Sequence, residues 1–240
     1  MKFENSDVMG FEGAIRGMRN PMSSWSKSDS YPDKNSIGDF ELGTVDADLV
    51  RRLLSTGSDS DGKFLRMIYV TVDITAPVYF CAELDTYKVS TVRDSCSLQH
   101  KGMSKDYSLE DFTFENDPNI KLSIPEDGVA YDETFTEIMN DYVNNVINQL
   151  RQKYKDTKDY AYFRALRQAL PMGYNYKFTW SANYAVLRNI YRQRCNHRLS
   201  EWHEFCKWIE QLPYADLMLV SAHTLSPSYA DTKTVCADKK

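Results

Sequence analysis

From Phe135 to Leu150 the apolar side chains recur with the spacing of an α-helix. Phe135, Ile138, Met139, Tyr142, Val146 and Leu150 fall on one stripe. A stripe of that length has to be buried, so the chain must build a core around at least one long amphipathic helix. More helical signals follow. A second helix is expected over about 158–169, and Pro171 stops it by disfavouring helical geometry at Leu170. Tyr174–Thr179 reads as extended, and Thr179 or Ser181 is placed to cap a helix over about 181–195. Trp202, Phe205, Cys206, Ile209 and Leu212 mark one face of another.

The N-terminal half has a different period. Ile68, Val70, Val72 and Ile74 alternate with Tyr69, Thr71 and Asp73, which predicts a strand over Arg66–Thr75. A helix is expected before it at about 46–55, with Leu49, Val50, Leu53 and Leu54 on its apolar side and Gly57 placed to end it. Pro77 suits the first turn of a helix running to about Lys88. The segments 20–45 and 100–132 are polar and read as loop-rich. These signals describe a single domain over 1–225 with a loose tail over 226–240, of class α+β.

Composition narrows the function. With 240 residues, 42% hydrophobic and 13% aromatic, the chain can bury a large core, and its net charge of −5 argues against binding a nucleic-acid polymer. Against that acidic background, Arg164, Arg167, Arg188, Arg192, Arg194 and Arg198 cluster, as a small anionic ligand or an ion-paired helix face would require. Cys81, Cys96, Cys195, Cys206 and Cys236 are odd in number and form no CxxC pair, so reduced thiols in a cytoplasmic protein are expected. No apolar run suits secretion or a membrane span. His100, His197, His203 and His223 share no ligand spacing with the cysteines. Asp59 and Asp61 only begin to resemble a calcium loop, so no metal is expected.

The stretch Arg164–Glu204 carries the chemistry. On one helix Asn183, Leu187, Ile190 and Arg194 lie near a common line, and Asn189 is turned away from it. An amide offers a donor and an acceptor to the edge of a ring, and a guanidinium neutralises charge on a ring oxygen or grips phosphate. The same residues also suit a plain helix start at Asn183 and a helix end at Arg194, where the dipole favours a cation.

The run RALRQALPMGYNYKFTWSANYAVLRNIYRQR resembles the signature half of the flavin-dependent thymidylate synthases, and Arg167 to Arg194 match it without a gap. Two further segments are similar to elements of that family. DITAPVYFCAELDTYKVSTVRDSCSLQHK resembles the strand, the Ala-Pro turn and the helix that enters its Arg-His-Arg…Ser…Ser motif, and AIRGMRNPMSSW resembles an element whose serine contacts FAD. The resemblance implies an antiparallel sheet core packed with long helices, assembled as a homotetramer. It also implies transfer of a one-carbon unit from methylenetetrahydrofolate to C5 of dUMP, with FAD as cofactor and NADPH as reductant. Arg167, Glu83, Ser95 and Ser97 would then bind the nucleotide. Ser24, Thr86, Tyr87, Lys88, Thr91, Asn183 and Asn189 would bind FAD. Arg194 would bind the pyrimidine and stabilise negative charge as C5 becomes nucleophilic.

The chain departs from the family at several positions. Thr86, Tyr87 and Lys88 replace Arg, His and Arg, Ala185 replaces an arginine, and Asp59, Asp61 and Lys63 lie where a histidine is usual. These departures fit a divergent, phage-like branch. They leave open a hydroxymethylase of dUMP or dCMP, or a nucleotide-binding homologue without turnover.

Overall fold

The computed structural model describes residues 1–32, 40–97, 104–126 and 129–220. The expected tail over 226–240, together with His100, His223 and Cys236, lies outside them. In chain order the strands and helices begin with β1 (Lys2–Met9), α1 (Phe11–Met18), β2 (Tyr31–Pro32), β3 (Phe40–Glu41) and α2 (Thr44–Ser55). Next come β4 (Tyr69–Pro77), α3 (Val78–Leu84), β5 (Val92–Ser95), β6 (Lys121–Glu126) and β7 (Val129–Thr134). The remainder are α4 (Phe135–Tyr142), α5 (Asn148–Thr157), α6 (Tyr160–Ala169), β8 (Asn175–Asn183), α7 (Tyr184–Arg194) and α8 (Ser200–Glu210). Four strands form a sheet in the order β1-β4-β8-β5, while β2/β3 and β6/β7 are separate antiparallel pairs. The class is α+β.

The chain divides into two compact units. The first comprises Met1–Lys2, Asp73–Thr86 and Arg93–Thr179, and the second Phe3–Val72, Tyr87–Val92 and Trp180–Lys240. In β4 the expected alternation holds: Val70, Val72, Ile74 and Ala76 are buried. Residues 66 and 67 fall in a 3₁₀ turn over Asp61–Met67, so the strand starts later than the pattern suggests.

The first unit packs around Tyr107, Phe112, Val143, Ile147 and Leu166. The long helix expected from Phe135 is present, but a π-turn over Val143–Ile147 separates α4 from α5. A π-turn inserts one extra residue, which rotates everything after it. Val143, Ile147 and Arg151 are the fully buried positions, while the expected Tyr142 and Leu150 pack half-buried against the same core and Val146 is half-buried. Asn148, next to the turn, clasps the backbone of Tyr107: its Nδ2 donates to the Tyr107 carbonyl (2.9 Å) and its Oδ1 accepts from the Tyr107 amide (2.8 Å). Gly173 is required by close approach, since a Cβ there would lie 2.5 Å from the Thr113 carbonyl oxygen. The β6/β7 hairpin is a departure from the loop expected over 100–132. It aligns Lys121 opposite Thr134 and Ile124 opposite Tyr131, and Pro125 hides its strand character from a sequence pattern. Helix α3 ends at Leu84, short of the expected Lys88. Thr86 stops it by donating its hydroxyl to the Glu83 carbonyl (2.7 Å).

In the second unit residues 28–30, within the segment expected to be loop-rich, are pinned by one carboxylate. Asp46, fully buried in the first turn of α2, accepts Arg19 Nε on Oδ1 (2.6 Å). Its Oδ2 accepts the hydroxyls of Ser28 and Ser30 (2.7 Å each) and the amides of Asp29 and Ser30 (3.2 Å each). Asp29 in turn accepts the amides of Val45 and Asp46 at the start of α2 (2.9 and 3.1 Å). Tyr184, Phe205 and Trp202 are among the largest fully buried side chains, and Phe3 stacks on Trp208 at 5.3 Å.

Burial raises the Asp46 carboxyl, but the hydrogen bonds from Ser28, Ser30 and Arg19 and the charge of Arg19 outweigh it, so the group sits below its ordinary value. A depressed folded value means that protons bind the unfolded chain first. The carboxylate therefore contributes stability above about pH 4 and loses it as pH falls further. Replacing Asp46 with Ala leaves Arg19 buried without its charge partner and should cost about 3–5 kcal/mol. Denaturant titrations at neutral pH would read that loss. The acid-induced loss of stability below about pH 4 should be shallower in Asp46→Asn than in the parent.

Candidate active site

Helix α7 is built from its first residue. Strand β8 continues to Asn183, beyond the expected Thr179, and the cap is Asn183 rather than Thr179 or Ser181. Asn183 is buried, and its Oδ1 accepts the Val186 amide at 3.0 Å. The plain helix-start reading is thus the one its oxygen fulfils. Leu187 and Ile190 follow into the core, while Asn189 is exposed. Arg188 is buried, and burial, aided by Arg192, pulls its guanidinium down to about 10.

At the end of α7, Arg194 is held on two sides. Its guanidinium carbon lies 4.7 Å from the ring centre of Trp202 and 5.7 Å from that of Tyr87. Its Nε donates to Tyr87 Oη at 2.9 Å. Tyr87 Oη donates to Gln193 Oε1 (2.8 Å), and Gln193 Nε2 donates to Asn189 Oδ1 (3.0 Å). Three of the expected residues, Tyr87, Asn189 and Arg194, are therefore joined in one chain of hydrogen bonds. Gln193 was not among the expected residues, although its spacing of four from Asn189 on a helix gives that contact. Thr91 donates its hydroxyl to the Tyr87 carbonyl, which folds the 87–91 segment back on itself. Lys88 is exposed.

A second feature of this unit is a cleft of about 750 Å³ between α1 and the Asp61–Met67 turn. Exposed Arg16, Lys63 and Arg66 line it beside Met18, Phe64 and Met67. Nothing in the sequence pattern singled out Arg16 or Arg66, because only the fold brings these two segments together. Ser24 follows the cleft-lining Asn20 and Pro21, and its carbonyl accepts Arg19 Nη1 at 3.3 Å.

The first unit carries Glu83, Thr86, Ser95, Ser97 and Arg167. Arg167 is exposed on the last turn of α6 and acts electrostatically on Tyr176, as does Arg93. Arg93 pairs with Asp85 at 2.8 Å and lies 5.3 Å from the Phe178 ring centre. It sits between the expected Thr91 and Ser95, where only the ring beneath it distinguishes it from a surface cation. Ser95 and Ser97 are exposed, and between them the Cys96 amide donates to the Lys177 carbonyl (2.9 Å). Burial pushes the Cys81 thiol up to about 11 and the Cys206 thiol up to about 12, so neither is an effective nucleophile near neutral pH. Among the described residues no His/Cys/Asp/Glu cluster is arranged to hold a metal, and no helix is long and apolar enough to cross a membrane.

Residues 15–212 match the family model described as thymidylate synthase complementing protein. The fold is similar to that of the flavin-dependent thymidylate synthase ThyX from Helicobacter pylori, solved with FAD and dUMP. One such structure has 16% identity, covers 94% of this chain and 100% of that chain, and gives a TM-score of 0.66. A second gives 16% identity, 91% and 98% coverage and a TM-score of 0.64. A UMP/dUMP methylase, PolB from Streptomyces cacaoi bound with 5-Br dUMP, gives 13% identity, 92% and 94% coverage and a TM-score of 0.54. No curated protein sequence matches the chain.

The cap at Asn183 sets where α7 begins, and so where Asn189 and Arg194 project. Asn183→Ala should cost about 0.5–2 kcal/mol, while Asn183→Asp, which keeps the accepting oxygen, should cost less. Thermal melts of the two variants would check the order; equal losses would contradict a capping role.

Proposed function

The chain belongs to the thymidylate synthase complementing protein family, and from that premise we propose that it transfers a one-carbon unit from methylenetetrahydrofolate to C5 of dUMP as a flavin-dependent thymidylate synthase. The observation that carries the reading for this chain is Arg194, oriented between Tyr87 and Trp202 at the end of α7. A guanidinium held in one orientation suits a ring oxygen that gains negative charge during reaction.

The residues present fit FAD. A cleft lined by Arg16, Lys63 and Arg66 next to Met18, Phe64 and Met67 offers cations for a diphosphate and apolar surface for flat rings. By the resemblance, Ser24, Thr86, Tyr87, Lys88, Thr91 and Asn189 would hold the cofactor. Asn183 takes part by fixing the start of α7, because its oxygen is committed to the cap. Bound FAD would supply the reducing equivalents, delivered to it by NADPH.

The chain's own residues divide the remaining work. Arg167, with Ser95 and Ser97, binds the nucleotide phosphate, and Glu83 meets the nucleotide; all four belong to the first unit. Arg194 lowers the cost of charge on the pyrimidine ring as C5 turns nucleophilic. No thiol attack is assigned, in keeping with the raised values of Cys81 and Cys206. The assembly we assign is a homotetramer, the state the resemblance implies. Tyr87 in place of the motif histidine favours, as a second reading, an altered product: a hydroxymethyl group, or dCMP as the acceptor.

Purified protein should take up FAD and absorb at about 450 nm, the oxidised-flavin band. With dUMP, methylenetetrahydrofolate and NADPH it should form dTMP, and Arg194→Ala should slow that step about 10²–10³-fold. Product mass separates methyl from hydroxymethyl transfer. A protein that binds dUMP with no turnover under any reductant would instead be a non-catalytic homologue, and a colourless protein without FAD affinity would remove the reading.

A further inference from the structure

We propose that Tyr87 is the positioning residue for Arg194, setting the plane and rotation of the guanidinium through its hydroxyl; this rests on the reading of Arg194 as the ring-side cation. Three contacts carry the proposal. Tyr87 Oη accepts Arg194 Nε–H at 2.9 Å, so the guanidinium cannot rotate about its stem without breaking a charge-assisted bond. The Tyr87 hydroxyl hydrogen is itself directed to Gln193 Oε1 at 2.8 Å, which turns the oxygen's lone pairs toward Arg194. Gln193 is in turn oriented by its bond to Asn189 Oδ1 at 3.0 Å, one turn earlier on α7. The direction of each donor is thereby fixed by the next.

The rings complete the clamp. Trp202 lies 4.7 Å from the guanidinium carbon on α8, and the Tyr87 and Trp202 rings meet edge to face with centres 6.0 Å apart. Trp202 is fully buried, so this wall does not move easily. Tyr87, by contrast, is only half-buried, on the Tyr87–Val92 segment. It is the adjustable side of the clamp, and its hydroxyl decides which way the guanidinium faces. A charged side chain as long as arginine samples many rotamers, and a cation that stabilises a transition state is effective only when its orientation is set beforehand.

Tyr87→Phe keeps the ring and removes only the hydroxyl. With FAD saturating, it should lower kcat for dUMP roughly 10- to 100-fold, the rate equivalent of one hydrogen bond to a charged group, with little change in the KM for dUMP. In an Arg194→Ala background the same substitution should have no further effect on kcat. An unchanged kcat in Tyr87→Phe, or an equal loss in both backgrounds, would overturn the proposal. A second measurement does not depend on turnover. The Nε–H resonance of Arg194 should exchange slowly with solvent in the parent and rapidly in Tyr87→Phe; equal exchange rates would overturn the proposal even in a stable, folded variant. If the parent shows no turnover while the exchange rates differ as expected, the catalytic reading fails and the positioning role of Tyr87 stands.

Discussion

The second unit depends on a carboxylate placed where water cannot reach it. Asp46 would be a liability in that position if its charge were unmet, since burying an ionised group costs several kcal/mol. Here Arg19, two serine hydroxyls and two backbone amides converge on it. The consequence is geometric. Residues 28–30 are tied to the first turn of α2, and Arg19, at the end of α1, is tied both to Asp46 and to the Ser24 carbonyl. The wall of the cleft formed by α1 and the turn after it thus owes its position to a group that does not line the cleft at all. A polar segment that carries few apolar anchors is ordered by its hydrogen bonds instead.

That also marks the boundary of what the sequence made legible. The β4 strand, the stop at Pro171 and the helix bearing Trp202 are specified locally, by alternation, by one ring and by one apolar face. The stop and the Trp202 helix appear where the pattern places them, and β4 keeps its alternation although it begins at Tyr69 rather than Arg66. Residues 28–30 read as loop because the contacts that hold them come from Asp46, 16–18 residues further on, and no local window contains that pairing. The long helix was legible in existence and partly in phase: Tyr142 and Leu150 pack against the core as the stripe requires, but across the π-turn the fully buried positions are Val143 and Ile147 rather than Val146, since periodicity assumes a constant turn. The β6/β7 hairpin was missed because Pro125 breaks the expected strand composition.

The candidate site was legible in a similar, partial way. Arg194 stands out by resemblance and by its place at a helix end. Its partnership with Tyr87 does not, because the two are far apart in sequence and the matched motif offers histidine, not tyrosine. Asn183 shows the opposite case. The resemblance assigns it to the flavin, while its own chemistry, a short amide before a helix, assigns it to a cap, and its oxygen is spent on the cap. The two assignments converge if the cap is what places the rest of the helix.

Arg19 and Arg194 illustrate two ways to hold a guanidinium, and the difference separates structure from chemistry. Arg19 meets the full charge of Asp46 and is buried with it, so its field is largely cancelled inside the fold. Around Arg194, Tyr87 and Trp202 contribute a hydrogen bond and two ring faces, contacts that orient the guanidinium. A reaction that places negative charge on a ring oxygen gains from a cation that is fixed in direction before the charge forms. Tyr87, which falls by resemblance where the family has a histidine, is then more than a candidate cofactor contact. It puts a hydroxyl where Arg194 can use it, exchanging part of a motif for a brace on the residue at the helix end.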